Sequence, residues 1–150
     1  MTKILLFSGF LLSLSQCTFG YDGGRYMSFY NNSGKPVCYS MPWTRVIYYP
    51  DTTLPEKNPY PYKINKEWHS SLALSENAIF ALFPTDTMSI FFFDPDTLAK
   101  YDWSIIREEY KILVRYDLSH DNLRELKWCV CYPPTEAMQN MKMYPPYATF

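Results

Sequence analysis

The sequence predicts a mainly β, sandwich-like antiparallel domain with two or three short helices in its connections. Three observations carry that expectation. Aromatic residues make up 19% of the chain, with 14 Tyr and 10 Phe, and such side chains pack best on the pleated, half-buried surface of a strand. Twelve prolines against five glycines divide the chain into short pieces separated by stiff turns, which disfavours long helices. The pieces themselves read as roughly six or seven short strands and two or three short helices, the pattern of two packed sheets rather than of a bundle. An α+β layer with helices on one face is the alternative arrangement of the same elements.

The leader comes first in the chain. "MTKILLFSGFLLSLSQ", residues 1–16, has a basic start at Lys3 and an apolar run from Ile4 to Leu14. That run is too short to cross a bilayer as a helix and matches the apolar region of a signal peptide. Leu14-Ser15-Gln16-Cys17 resembles a bacterial lipobox, although Gln16 stands where a small residue is usual. In that reading Cys17 carries the lipid anchor, palmitate included, and becomes the first mature residue. Thr18-Phe19-Gly20 offers a second exit, with small residues where an ordinary signal peptidase cuts. The anchor at Cys17 is preferred, because a cysteine ends the apolar run. Residues 17–25 then form a tether, 26–134 a single β-rich domain and 135–150 a short C-terminal extension. The expected location is the cell envelope, lipid-anchored at the outer membrane, with a soluble periplasmic or secreted form as the alternative. The net charge of −1 supplies no basic field, so no nucleic-acid partner is expected.

"YMSFYNNSGKPVCYSM", residues 26–41, reads as a strand, a turn at Asn31 to Lys35 and a second strand. "TRVIYYP" (44–50) alternates aliphatic and aromatic residues, and "PDTTLPEKNPYPY" (50–62) is a rigid loop punctuated by prolines. "YKINKEWHSSLALS" (62–75) reads as one extended segment with Trp68, Ser70, Leu72 and Leu74 sharing a face. Ser75 is a candidate N-cap for a short helix over "ENAIFALF", stopped by Pro84. "TMSIFFFD" (87–94) is apolar on both faces from Ile90 to Phe93, so that strand must be central or overlaid by a helix. Asp94-Pro95-Asp96 closes it as a turn and helix cap before "TLAKY". Asp102 can cap "WSIIREEY", where Trp103, Ile106 and Tyr110 fall at helical spacing. "KILVRYD" is the next strand. Ser119 caps another short helix, with Leu118 and Leu123 placed as a hydrophobic staple around it. "WCVCY" (128–132) is the last strand, stopped by Pro133 and Pro134.

"YPDTTLP" (49–55) and then "DTMSIFFFDPDTLAKYDWSIIREEYKILVRYDLSHDNLRELKWCVCYP" (86–133) resemble a family of small secreted or lipid-anchored proteins of Bacteroidota bacteria. The matching positions run from Asp86 and Phe91 through Trp103, Arg107, Tyr110, Arg115 and Asp117 to Trp128 and Tyr132. The resemblance implies an envelope protein, and it implies no activity.

The residues that invite chemistry have plainer readings. Ser119-His120-Asp121 spells a hydrolase triad, but a triad converges from separate segments, and three consecutive helical residues point about 100° apart. His69 alternates away from Leu72 and Leu74, as an exposed strand residue does. Asp94-Pro95-Asp96 lacks the central glycine and further oxygen ligands of a calcium loop. Glu108 and Glu109 diverge on a helix and make a poor acid–base pair. Met138 and Met141 beside "CVC" suit copper(I) in type, and at three-residue spacing they are equally an apolar stripe. The tyrosine-rich loops "NPYPYK" and "YPPY" suit stacking on sugar rings.

Cys129 and Cys131 are two apart on a strand, with side chains parallel and roughly 6.5–7 Å apart, too far for a relaxed disulfide between them. Closed zinc would need two more ligands. Should the strands carrying them be neighbours, Cys38 reaches one of the pair, so Cys38–Cys129 or Cys38–Cys131 is the candidate disulfide. The expectation is thus a non-enzymatic envelope lipoprotein without cofactor or metal, acting through surface contacts with another envelope protein or a glycan. A glycan-binding module is the alternative, and a copper protein a third.

Overall fold

The computed structural model describes residues 27–41, 49–66, 68–72 and 85–150. Cys17, the leader, the tether and the Ser75 helix therefore lie outside the described residues, as does most of "TRVIYYP". The domain is mainly β, as the aromatic and proline content predicts. Its described strands are β1 (Met27–Asn31), β2 (Val37–Ser40), β3 (Tyr62–Ile64), β4 (His69–Leu72), β5 (Thr87–Phe93), β6 (Val114–Ser119), β7 (Cys129–Tyr132) and β8 (Lys142–Tyr144). Three short α-helices accompany them among the described residues: α1 (Pro95–Lys100), α2 (Trp103–Glu108) and α3 (His120–Glu125). Among the described residues no helix is long and apolar enough to cross a membrane.

The strands form two sheets. One has the order β4-β1-β7 and the other β3-β2-β5-β6-β8. The five-stranded sheet is antiparallel throughout, whereas β1 pairs with β7 in parallel, Phe29 opposite Val130. The main core lies between the sheets. Phe29 of the small sheet stacks on Tyr39 of the large one with ring centroids 4.0 Å apart, and Phe92 meets Tyr116 edge-on at 5.5 Å. The buried Tyr116 hydroxyl donates to the Cys131 carbonyl at 2.9 Å, so its polar tip is satisfied across the same interface.

A second core covers the outer face of the large sheet. Cys38, Phe91 and Phe93 point there and pack with Leu54 and Ile106 beneath α1 and α2. β5 is thus both central in its sheet and overlaid by helices, which accounts for its unbroken apolar run. Two of the three helix starts follow the capping chemistry expected, whereas Asp102 stands at the N-cap of α2 without a side-chain cap hydrogen bond. Asp94 accepts from the Asp96 N–H at 2.9 Å, and Ser119 forms a capping box with Asn122. α3 ends in a Schellman turn, in which the Trp128 N–H reaches back to Leu123 O at 2.8 Å and Lys127 adopts φ 52°. Leu118, Leu123 and Trp128 all enter the main core there.

Four features lie outside the sequence expectation. Strand, turn and strand form as read, but the chain switches sheets at the turn, so β1 and β2 do not pair. Asn31, fully buried, holds that switch: its amide donates to the carbonyls of Lys35 (2.8 Å), Asn65 (3.0 Å) and Ile64 (3.3 Å), and its Oδ1 accepts from the Ser33 N–H and hydroxyl. Second, residues 62–72 split into β3 and β4 in different sheets, and Trp68 between them is 64% exposed instead of sharing an inward face with Ser70. Third, the segment expected as a C-terminal extension belongs to the domain. Met138 and Met141 are core residues, and β8 pairs with β6. Fourth, β2 and β7 lie in different sheets, so Cys38 is not beside Cys129 or Cys131, and all three stand as thiols.

Candidate functional site

α2 and the turn that ends it present Trp103, Arg107 and Tyr110 toward the proline-rich loop of residues 50–61. Each of these side chains ends in a donor, and each donor takes one carbonyl of that loop. Trp103 Nε1 donates to Pro55 O at 2.8 Å, Arg107 Nε to Leu54 O at 3.0 Å and the Tyr110 hydroxyl to Thr52 O at 2.8 Å. Leu54, between them, drops into the second core. The loop also braces itself: Asp51 accepts from the Thr53 N–H at 2.9 Å, and Asn58 accepts from the Tyr60 N–H at 2.8 Å. The Thr53 N–H holds the Asp51 carboxyl below its ordinary range.

Between this loop and α2 lies an open groove of about 780 Å³. Trp103 and Tyr110 give it aromatic surface. Thr52, Thr53, Glu56, Asn58, Ser104, Arg107 and Glu108 give it polar groups. Its size falls in the range of small-ligand sites, and most of its lining side chains are polar. Tyr60, whose N–H the lining Asn58 accepts, stands 83% exposed with φ 50°, a left-handed backbone that costs a tyrosine about 1–2 kcal/mol.

Behind the groove sits a buried polar relay on the outer face of the large sheet. Asp117, 2% exposed, accepts from the Ser89 hydroxyl at 2.7 Å. Arg115 Nε lies 3.1 Å from one oxygen of the same carboxylate and 3.2 Å from the other. Arg115 Nη1 then donates to the Tyr110 hydroxyl at 2.5 Å, and its guanidinium lies over the rings of Tyr110 and Tyr144. Tyr110 itself is the left-handed residue that ends α2, with φ 51° and the Lys111 N–H bonded to Ile106 O at 2.9 Å. Burial pushes the Tyr110 hydroxyl above its ordinary pKa, and the hydrogen bond from Arg115 opposes that. The chain Ser89–Asp117–Arg115–Tyr110–Thr52 therefore ties the groove's loop to a central strand.

The residues singled out from sequence fall as follows. Cys38 is buried in the second core, where desolvation pushes its thiol up and Lys63 opposes the shift. Cys129 and Cys131 sit on the outer face of the small sheet, opposite Ser28 and Tyr30, with Cys131 buried and Cys129 half-buried. His69 is half-buried, stacked on Tyr30 at 5.3 Å and Trp68 at 5.9 Å. Ser119, His120 and Asp121 do not converge: Ser119 caps α3, and His120 turns its ring toward Trp128. Met138 and Met141 pack in the main core, while Cys129 and Cys131 lie on the opposite face of β7 from it. No group of three or more His, Cys, Asp or Glu side chains among the described residues is placed to hold a metal ion.

Sequence reasoning placed Trp103 and Tyr110 on one helical stripe but did not see the groove. The signal was available in the tips. A stripe whose members end in N–H and O–H donors, facing a loop whose prolines lack N–H groups, marks a helix holding a loop by its carbonyls. Comparison of the chain with protein-family models, curated proteins and solved structures returns no match.

Proposed function

We propose that the protein is a non-catalytic, exported protein of the bacterial cell envelope, lipid-anchored at Cys17 in the outer membrane, that acts by binding at the braced groove. The observation that supports this reading is the triple attachment of the loop to α2. A loop fixed at three carbonyls keeps its shape without a ligand, so binding costs little ordering entropy, which is what a recognition surface requires. The polar side chains of the groove come from one loop and one helix and include no histidine or cysteine, so Ser104 and the threonines have no imidazole there to activate them, which fits recognition better than nucleophilic chemistry. Export and anchoring rest on the leader and on the resemblance to Bacteroidota envelope proteins.

The experiment places a photo-crosslinking residue at Glu108 in the full chain, expressed in a bacterial envelope, with Cys17→Ala as a parallel variant. The expected result is partition with membranes, lost in Cys17→Ala, together with a discrete crosslinked species. A wild-type chain that is soluble and starts at Tyr21 overturns the anchor. A Glu108 probe that captures nothing, at any level of expression, overturns the groove as the binding site.

A further inference from the structure

Resting on that binding reading, we infer that the groove takes an oligosaccharide. The loop's backbone argues against an extended peptide. Four of its residues, Pro50, Pro55, Pro59 and Pro61, have no N–H, and the N–H groups of Thr53 and Tyr60 are taken by Asp51 and Asn58. Three of its carbonyls already accept from Trp103, Arg107 and Tyr110. Within the loop only Asp51, Glu56, Lys57 and Asn58 keep both an N–H and a carbonyl outside these bonds, too short a run for the ladder by which a peptide strand is recognised.

What remains to make contact is side chains, and these are of both kinds. Glu56 and Glu108 are acceptors with no hydrogen bond or ion pair among the described residues. Arg107 spends only its Nε on the loop, which leaves the terminal nitrogens of its exposed guanidinium as donors. A ligand that meets both the carboxylates and the guanidinium lining this one groove must both donate and accept. Adjacent sugar hydroxyls do that, because each is one donor and two acceptors. The two carboxylates against one guanidinium disfavour a polyanion. The C–H faces of sugar rings also need aromatic surface, which Trp103 supplies in the groove, and Tyr60 stands exposed two residues beyond the lining Asn58 that accepts its N–H.

Isothermal calorimetry on the full chain in detergent tests this, with short neutral hexose oligosaccharides as probe and a library of extended peptides as competitor class. The expected result is saturable oligosaccharide binding, weakened about tenfold by Tyr60→Ala, the loss of one aromatic contact of about 1.4 kcal/mol. Glu108→Gln weakens it similarly, while Trp68→Ala, an exposed aromatic outside the groove, leaves it unchanged. Circular dichroism of each variant should match wild type, since Tyr60 and Glu108 are exposed. No oligosaccharide binding, binding untouched by Tyr60→Ala and Glu108→Gln, or binding of peptides alone overturns the inference. A protein captured at Glu108 with no oligosaccharide bound removes the glycan and leaves the binding groove; capture of nothing removes both.

Discussion

Replacing Asp117 by Asn keeps the shape of the side chain and removes its charge. The amide can still accept from Ser89, but its nitrogen then faces Arg115 Nε at the position where a carboxylate oxygen sat about 3 Å away. Removing one partner of a buried ion pair costs about 3–5 kcal/mol, because the other charge stays desolvated. Arg115 retains the Tyr110 hydroxyl and two aromatic faces, and its side chain is 11% exposed, which places the expected loss near the bottom of that range, about 3 kcal/mol. In urea, at a slope of about 1.5 kcal/mol per molar, the midpoint should fall by about 2 M with the slope unchanged. Arg115→Met combined with Asp117→Leu should recover much of that loss, since no buried charge is left unpaired. A coupling above about 1 kcal/mol in the double-mutant cycle is expected. A loss below about 0.5 kcal/mol for Asp117→Asn, or two single effects that simply add, would refute the relay as an energetic unit.

Three further outcomes follow from the burial pattern. Phe93→Ala, which empties a fully buried site against Phe91 and Trp103, should cost about 3–5 kcal/mol in the same urea assay, and a change below about 0.5 kcal/mol would place β5 at the surface. Burial raises the hydroxyl pKa of Tyr39, Tyr110, Tyr116 and Tyr132 above the ordinary value of 10.0. The folded state therefore holds protons that the unfolded chain releases, so stability is full below about pH 10 and falls as the pH rises beyond it. Tyrosinate absorbance followed alongside circular dichroism checks this: late ionisation should coincide with unfolding, and smooth titration at ordinary values without unfolding contradicts it. Thiol labelling should modify Cys129 first, with Cys38 and Cys131 reacting only on unfolding, and peptide mapping without reductant should return three thiols.

The parts of the fold that were legible in the sequence are those set by nearest neighbours. The apolar run Ile90 to Phe93 declares a strand covered on both sides, and Asp94 and Ser119 announce helix starts by their own side chains. What stayed hidden depends on partners distant in the chain. "NNSGK" has the residues of a hairpin turn, but Asn31 spends its amide on carbonyls 33 and 34 positions away, and those bonds turn a hairpin into a change of sheet. β8 is three residues with only Met143 turned toward the core, too short for its alternation to register. The separation of Cys38 from Cys129 and Cys131 follows from the same sheet change. The groove was hidden for a different reason: Trp103 and Tyr110 read as apolar by spacing, and only the positions of Thr52, Leu54 and Pro55 reveal that their polar tips are occupied.

The small sheet has an implication in time. Its middle strand, β1, is the first described strand to be made, yet its two partners are residues 69–72 and 129–132, with most of the large sheet encoded between them. A chain that emerges N-terminus first, whether from a ribosome or through a membrane pore, must carry Met27 and Phe29 uncovered until Val130 arrives to lie beside them. The two buried methionines of the tail, Met138 and Met141, arrive later still. Completion of this domain is therefore gated by its last residues, which keeps the chain pliable for as long as it is being threaded and leaves an apolar strand in need of protection for the same interval.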